Sequence, residues 1–478
     1  MIKIAKLTFK IIFLLITYSG ISQSQKESIE RKIDSLFREY NNKTPGVSIA
    51  VVKDGQTIFK RGYGSATLEY NVPITPKTIF HVASVSKQFT AFSIYLLKEQ
   101  GKISLEDDIS KYIPELPNYG KPIKINHLLS HTSGLRDQWA LLTLAGWHLE
   151  DVITTEQILK LATNQKGLNF KTGTEFGYCN TNYTLLAEAV KRITGQSFAD
   201  FAKENIFDPL GMNNTQFYDD FQKVVKNRAY SYEIRNNEYI KKELNYSNVG
   251  PTSLFTTVED LSKWVANFET HIVGGTKMMR EFNEISLLDN NKPVVYRATK
   301  KDTLYHAKGQ LHWYHKGLKL ISHGGHDAGF RAFLARFPEN NLSIITLSND
   351  EHYDILKNGL AFADFFLKDQ LREVKSTIKP SNQNSDDNLE QYDTKLKEFE
   401  GDYYSEELKT VYSIRVRAEK LIIRHKRLSD IELSQVGKEK FSGTNYFPFE
   451  MEFLRTNQKV IGFEISNFGA KKVKFERK

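Results

Sequence analysis

The sequence has a single cysteine, Cys179, in 478 residues, and that scarcity excludes any disulfide within the chain. A fold that works outside the cytoplasm without one is held by burial and hydrogen bonds, which a large domain can supply. Several chemical signatures are missing as well. No Gly-x-Ser-x-Gly elbow occurs, which argues against an α/β-hydrolase. No His-Glu-x-x-His occurs either. His127 and His131 are spaced i, i+4 in "HLLSHTSGL", but no acidic residue accompanies them, so no metal site is expected. There is no glycine-rich phosphate loop, and no cofactor is expected. Beyond the N-terminus, no run is apolar enough to cross a bilayer.

The first residues, "MIKIAKLTFKIIFLLITYSGISQSQ", carry Lys3, Lys6 and Lys10, then the apolar run Ile11–Ile16, then the small residues Ser19, Gly20 and Ser22. This is the order of a secretory signal peptide, expected over 1–24; a bare N-terminal anchor is the alternative. No cysteine stands near the cleavage point to accept a lipid. The mature protein is expected to be exported, periplasmic or secreted, with no membrane span. Removing the three leader lysines lowers the formal charge from +9 to +6. The basic residues Lys471, Lys472, Lys474, Arg477 and Lys478 read as a solvated end, and export removes nucleic acid as a partner.

A chain this long exceeds one compact core. Ile29, Ile33, Leu36 and Tyr40 recur at helical spacing, so the mature chain is expected to open on an amphipathic helix. "GVSIAVVKDGQTIFKRGYG" reads as a hairpin turning at 53–56. In "HVASVSKQFTAF" and beyond, Val85, Phe89, Phe92 and Leu96 predict another amphipathic helix, stopped by Gly101. Residues 105–270 read mainly as short helices and loops. Three β-type runs follow, "LKLISHGG", "RAFLARFP" and "LSIITLSN", and then a long closing helix, "YDILKNGLAFADFFLKDQLREV". The two ends of this segment can complete one antiparallel sheet around an inserted helical part, an α+β domain over 25–375. The polar stretch 376–395 reads as a linker, and 396–478, with eight or so short alternating strands, as a small up-and-down barrel or a sandwich.

Three groups of residues can carry chemistry. Ser84 and Lys87, at i and i+3, share a helix face. A lysine whose pKa is lowered by burial can take the proton of a serine hydroxyl, and a backbone N–H at a helix start is free to meet an oxyanion. The bland alternative is that Ser84 caps the helix; Ser376-Thr377-Ile378-Lys379 repeats the spacing inside the linker. Tyr178 and Asn180 form a second pair between a glycine-containing turn and a helix. The tyrosine is a candidate general base, and the amide can hold a substrate carbonyl or orient the lysine. Tyr40-Asn41-Asn42 and Tyr246-Ser247-Asn248 share that spacing. In "ISHGGHDAGF", His323 ends a β-type run, and Gly324 and Gly325 leave a bare backbone edge where a substrate can lie. The N–H of His326 is a second candidate oxyanion donor. His315-Lys316-Gly317 shows how weak His-x-Gly is alone.

The order Ser-x-x-Lys, Tyr-x-Asn, His-x-Gly resembles the serine β-lactamase and penicillin-binding protein superfamily, closest to its class C, D-aminopeptidase and esterase branch. The likeness runs from about residue 27 to 374 and includes "LLSHTSGL", "IFDPLGMNNTQF", "TTVEDLSKW" and "HGGHDAGF". It implies that Ser84 is the acylated nucleophile, Lys87 its amine partner and Tyr178 the proton shuttle to the leaving group. Asn180 would be the amide contact, His323 and Gly325 the third motif, and the N–H groups of Ser84 and His326 the oxyanion hole. The C-terminal strands resemble a lipocalin-like barrel. The implied reaction is two-step acyl transfer from a small peptide, amide or ester.

His323 stands where β-lactam and D-Ala-D-Ala specialists carry a lysine that helps hold the substrate carboxylate. A neutral imidazole does this less well, which shifts weight to peptides with N-terminal D-residues, amides or esters. A β-lactamase or D-Ala-D-Ala carboxypeptidase is the alternative within the class. Outside it, the alternative is a non-catalytic sensor of cell-wall fragments.

Overall fold

The computed structural model describes residues 23–299, 302–372 and 395–478. The leader and linker read from the sequence, 1–24 and 376–395, fall outside the described residues apart from Gln23, Ser24 and Lys395. The helix Gln23–Leu36 lies in a small unit ending at Glu39; residues 40–478 form a second compact unit.

The framework of the second unit is an eight-stranded antiparallel sheet. Its order is Val295–Ala298, Thr303–Ala307, Gln310–His315, Leu318–Asp327, Phe330–Phe337, Leu342–Ser348, Val47–Lys53 and Gln56–Tyr63. The first hairpin therefore joins the late strands, with Val47 opposite Ser348 and Lys53 opposite Leu342. The turn between Val47–Lys53 and Gln56–Tyr63 is Asp54-Gly55, both at positive φ (50° and 73°). That backbone matches the right-handed twist of the strands it joins. Strands Val47–Lys53 and Leu342–Ser348 are almost wholly buried because helices Val258–Thr270 and Ile355–Phe366 pack against this part of the sheet. The closing helix is shorter than the sequence pattern suggested: it ends at Phe366 and gives way to the single turn Lys368–Gln370.

Between the two sheet segments lie the helices Ser86–Glu99, Ile125–Leu129, Gln138–Leu144, Thr155–Thr163 and Asn180–Thr194, with a hairpin at Ser231–Arg235 and Glu238–Lys242 interrupting the otherwise helical run. The Ser86–Glu99 helix is not amphipathic in place. Every residue from Ser86 to Tyr95 is buried, as befits a helix enclosed on all sides. Phe89 and Phe92 both pack on Trp264, with ring centroids 4.4 and 5.1 Å away.

Residues 401–477 close into an eight-stranded up-and-down barrel, sealed where Tyr403 and Tyr404 pair with Arg477 and Glu476. Alternation follows the pleat: in Pro448–Thr456, Phe449, Met451 and Phe453 point inward while Glu450 and Glu452 face out. The basic C-terminal end supplies the last strand, Val473–Arg477, with Val473 and Phe475 buried and Lys474 exposed.

Candidate active site

The short strand Phe80–His81 leads into a 3-10 turn, Ala83–Val85, which runs directly into the Ser86–Glu99 helix. Ser84 thus sits in the tight turn before the α-helix, not in the first α-helical turn that the spacing suggested. Ala83 is left-handed, with φ of 47°, a conformation that costs a non-glycine residue about 1–3 kcal/mol and persists only where surroundings enforce it. His81 is part of that enforcement: the Ala83 N–H donates to its Nδ1 at 3.2 Å. Burial brings the His81 imidazole down to about 3, so it is neutral and able to accept there.

Lys87 is fully buried, and its Nζ lies 2.8 Å from Asn180 Oδ1, 2.8 Å from the Pro251 carbonyl and 3.0 Å from Ser84 Oγ. A neutral amine has two N–H bonds and one lone pair. Asn180 and Pro251 can only accept, so they take the two hydrogens and leave the lone pair for Ser84. Burial pushes the Lys87 pKa down toward neutrality, against the pull of the Asp327 and Asp137 charges. Asn180 is held in turn by Asp137, whose Oδ2 accepts from the Asn180 backbone N–H at 2.6 Å and from Nδ2 at 2.8 Å. That contact consumes the amide's donor end and aims Oδ1 at the lysine. Asp137 itself caps the Gln138–Leu144 helix, accepting from Trp139 and Ala140.

Tyr178 precedes the Asn180–Thr194 helix, and its hydroxyl donates to Ser84 Oγ at 2.9 Å. Burial raises its pKa well above the ordinary phenol value. A tyrosinate base, open on the sequence alone, is therefore disfavoured here; the buried amine is the better base, and Tyr178 carries a proton it can hand on.

The third motif lies inside the strand Leu318–Asp327 rather than at its end. One neighbour, Phe330–Phe337, pairs along the whole stretch Ile321–Asp327; the other, Gln310–His315, stops at Leu311 opposite Ser322. His323–Asp327 therefore present an unpaired edge. Gly325 sits against the nucleophile turn: a Cβ there would lie 2.3 Å from the Val82 carbonyl oxygen and 3.2 Å from the Ser84 nitrogen. His326, the next residue, is exposed. His323 is buried, and burial together with nearby Lys87 brings its imidazole down to about 3, so it is neutral, as the sequence reading required.

The structure brings Ser84, Lys87, Tyr178, Asn180 and the His323–His326 segment together. Sequence reasoning passed over Asp137, His81, Asp327 and the Pro251 carbonyl. Asp137 had a readable signal, an aspartate just before an apolar helical run; Asp327 had none. Thr252 donates its hydroxyl to Asp327, which borders a cavity of about 320 Å³. Its charged lining is mixed: Glu150 and Glu243 face it with Lys242 and Arg331, beside His326 and, from the barrel, Tyr446 and Phe447. Among the described residues, no group of three or more His, Cys, Asp or Glu side chains is placed to hold a metal.

The beta-lactamase family model matches residues 33–362. A penicillin-binding protein of Bacillus subtilis is 26% identical over 345 residues, covering 68% of this chain and 73% of that protein. A D-aminopeptidase of Gluconobacter oxydans is 26% identical over 334 residues, covering 69% of this chain and 60% of that protein. This chain thus spans about three fifths of the aminopeptidase's length. The solved structure of an octameric penicillin-binding protein homologue from Pyrococcus abyssi superposes with a TM-score of 0.63 at 21% identity, over 95% of this chain and 99% of that one. The three motifs lie inside the matched segment, on the sheet-and-helix framework that surrounds them, and the chain belongs to the beta-lactamase family.

Proposed function

We propose that this protein is an exported serine hydrolase that works through a Ser84 acyl-enzyme on amide or ester carbonyls. The observation that carries the reading is the placement of Lys87 Nζ, 3.0 Å from Ser84 Oγ and 2.8 Å from two pure acceptors, Asn180 Oδ1 and the Pro251 carbonyl; once the amine is neutral those two take its N–H bonds and its lone pair is left for Ser84. Lys87 takes the hydroxyl proton as Ser84 attacks, Tyr178 passes a proton to the departing amine or alcohol, and water then releases the acyl group. The N–H groups of Ser84 and His326 are the oxyanion donors in this scheme.

The substrate we favour is a small peptide, amide or ester without a carboxylate next to the scissile bond, such as a peptide with an N-terminal D-residue. Two features support this: the neutral His323 and the D-aminopeptidase relative. Export is supported by the leader-like order of the first 24 residues. The test is mass spectrometry after incubation with a fluorophosphonate and with a labelled penicillin. We expect one adduct on Ser84, lost in a folded Ser84→Ala variant; an unmodified wild-type protein would sink the proposal. A panel of p-nitrophenyl esters, D-amino-acid amides and a chromogenic cephalosporin then ranks the substrates.

A further inference from the structure

A cavity of about 760 Å³ opens between the segments 66–78 and 222–230. None of Ser84, Lys87, Tyr178, Asn180 or His323 lines it. Among the described residues its lining holds three cations, Lys77, Lys223 and Arg228, and no carboxylate. Asp219 acts on Lys223 from outside the cavity, whereas no acid pairs with Lys77 or Arg228 among the described residues.

Arg228 is half-buried, and its guanidinium carbon lies over two aromatic faces, 4.7 Å from the Phe255 ring centroid and 5.4 Å from that of Tyr218. Its Nε is buried and has no hydrogen-bond partner. Stacking engages the face of the planar group and leaves the N–H bonds, which lie in its plane, for an acceptor. A guanidinium that has given up water without gaining an acceptor is costly until an anion meets it. Thr67, only 8% exposed, lines the same cavity, and its hydroxyl is likewise without a partner.

Much of the remaining wall is apolar. Tyr70 and Val224 line the cavity while 75% and 84% exposed, and Val72, Pro73 and Val225 adjoin them. Large apolar side chains gathered in the open around a cavity mark a contact surface. A bare inorganic anion would use the cations and leave these side chains in water; a neutral apolar molecule would cover them and leave Arg228 unmatched. An oxyanion head on an apolar body satisfies both.

We propose that this cavity is a binding site, apart from the acyl-transfer centre, for an amphiphile with one carboxylate or phosphate head, held by Arg228 and Lys77 with its apolar body against Tyr70, Val72 and Val224. The site shares backbone with the nucleophile turn. The Ile79 N–H donates to the Asn227 carbonyl and the Ala229 N–H to the Ile79 carbonyl, each at 2.9 Å, and from Ile79 the chain runs through Phe80–His81 to Ser84. The Phe255 ring that carries Arg228 is also 5.1 Å from the His81 ring.

The test is isothermal titration of the full chain with decanoate, decanol and inorganic phosphate, with flotation on phosphatidylglycerol vesicles. We expect saturable binding of decanoate, tighter than that of decanol or phosphate by about tenfold or more, the worth of a hydrogen bond to a charged group. Arg228→Gln is expected to erase that margin. Because Arg228 also packs on Phe255, Val224→Asp is the second variant: its site is exposed, and the new carboxylate opposes the anion. It is expected to weaken decanoate about tenfold. A folded Ser84→Ala variant should bind as wild type, which separates this site from the acyl-enzyme. Vesicle flotation that decanoate reverses would assign the head to a membrane lipid; decanoate binding without flotation would assign a free amphiphile. Absence of saturable decanoate binding, equal affinity for decanoate and decanol, undiminished affinity in either folded cavity variant, or loss of binding in Ser84→Ala overturns the proposal.

Discussion

The amide of Asp137 donates to the carbonyl of Gly469 at 2.8 Å, which joins the barrel to the residue whose carboxylate orients Asn180. The turn between the last two barrel strands is thus linked through Asp137 and Asn180 to Lys87. The contact is close: a Cβ on Gly469 would lie 2.7 Å from Asp137 Cβ. Gly469→Val is expected to displace Asp137 and slow fluorophosphonate labelling of Ser84 by about tenfold or more, since small misplacements near a reacting group are expensive. Circular dichroism checks that the variant folds. A labelling rate equal to wild type would make the barrel edge a bystander.

Lys87→Met and Tyr178→Phe are expected to separate by leaving group. Removing the base costs about 10²–10⁴-fold for every substrate. Removing the tyrosine hydroxyl costs most where the leaving group needs a proton. Anilides and amides should therefore suffer in Tyr178→Phe while p-nitrophenyl esters lose much less. Equal losses on esters and amides would contradict the proton-shuttle role.

The pH dependence has a definite sign. Lys87 acts as a base only when neutral, and burial lowers its pKa, so kcat/KM should rise with pH and level off below the ordinary lysine range. Tyr178, pushed upward, keeps its proton throughout. Asp327 is one of the charges that favour the ammonium form. Asp327→Asn should therefore move the rising limb to lower pH. A limb unmoved, or moved upward, would show that Asp327 does not act on Lys87.

Much of the framework was readable because local pattern and global fold agree. The Asp54-Gly55 hairpin, the late strands and the barrel alternation all follow from period and turn residues. The Ser86–Glu99 helix misled, since a stripe of Val85, Phe89 and Phe92 says which face is apolar but not that Lys87, Gln88 and Thr90 are buried too. Ser84, Lys87 and Tyr178 were singled out by order and chemistry, and the structure puts the three side chains within hydrogen-bond distance of one another through Ser84 Oγ. Asp137 and Asp327 act through residues far away in sequence, 43 positions in the case of Asn180, and no local pattern records such a pairing. His131 was noticed for its spacing from His127, but the two do different work: His127 faces Asp289 at 3.0 Å, while His131 faces the site.

Phe89 is fully buried between Trp264 and Phe207, with ring centroids 4.4 and 5.6 Å away. Phe89→Ala is expected to cost about 3–5 kcal/mol through lost burial and the cavity left behind. The readout is the denaturant midpoint of the part outside the barrel. A loss below about 1 kcal/mol would mean that the helix carrying Lys87 is not anchored by this aromatic cluster.

Arg136 and Glu407 form a buried ion pair at 2.5 Å between the segment before Asp137 and the barrel, each with 6% or less of its side chain exposed. Glu407 also accepts from the Lys166 N–H at 2.7 Å, and Arg136 donates to the Lys472 carbonyl at 3.0 Å. Removing one partner strands the other's charge in a poorly solvated interface, which costs about 3–5 kcal/mol; replacing both with apolar groups of similar size removes that penalty. Glu407→Leu alone should therefore lower the melting temperature sharply, while Arg136→Met with Glu407→Leu should recover most of the loss, a coupling that a double-mutant cycle measures directly. Because Arg136 adjoins Asp137, the single variant should also slow Ser84 labelling and the double variant restore it. If stability and labelling both respond additively, the pair neither clamps the barrel nor positions the site.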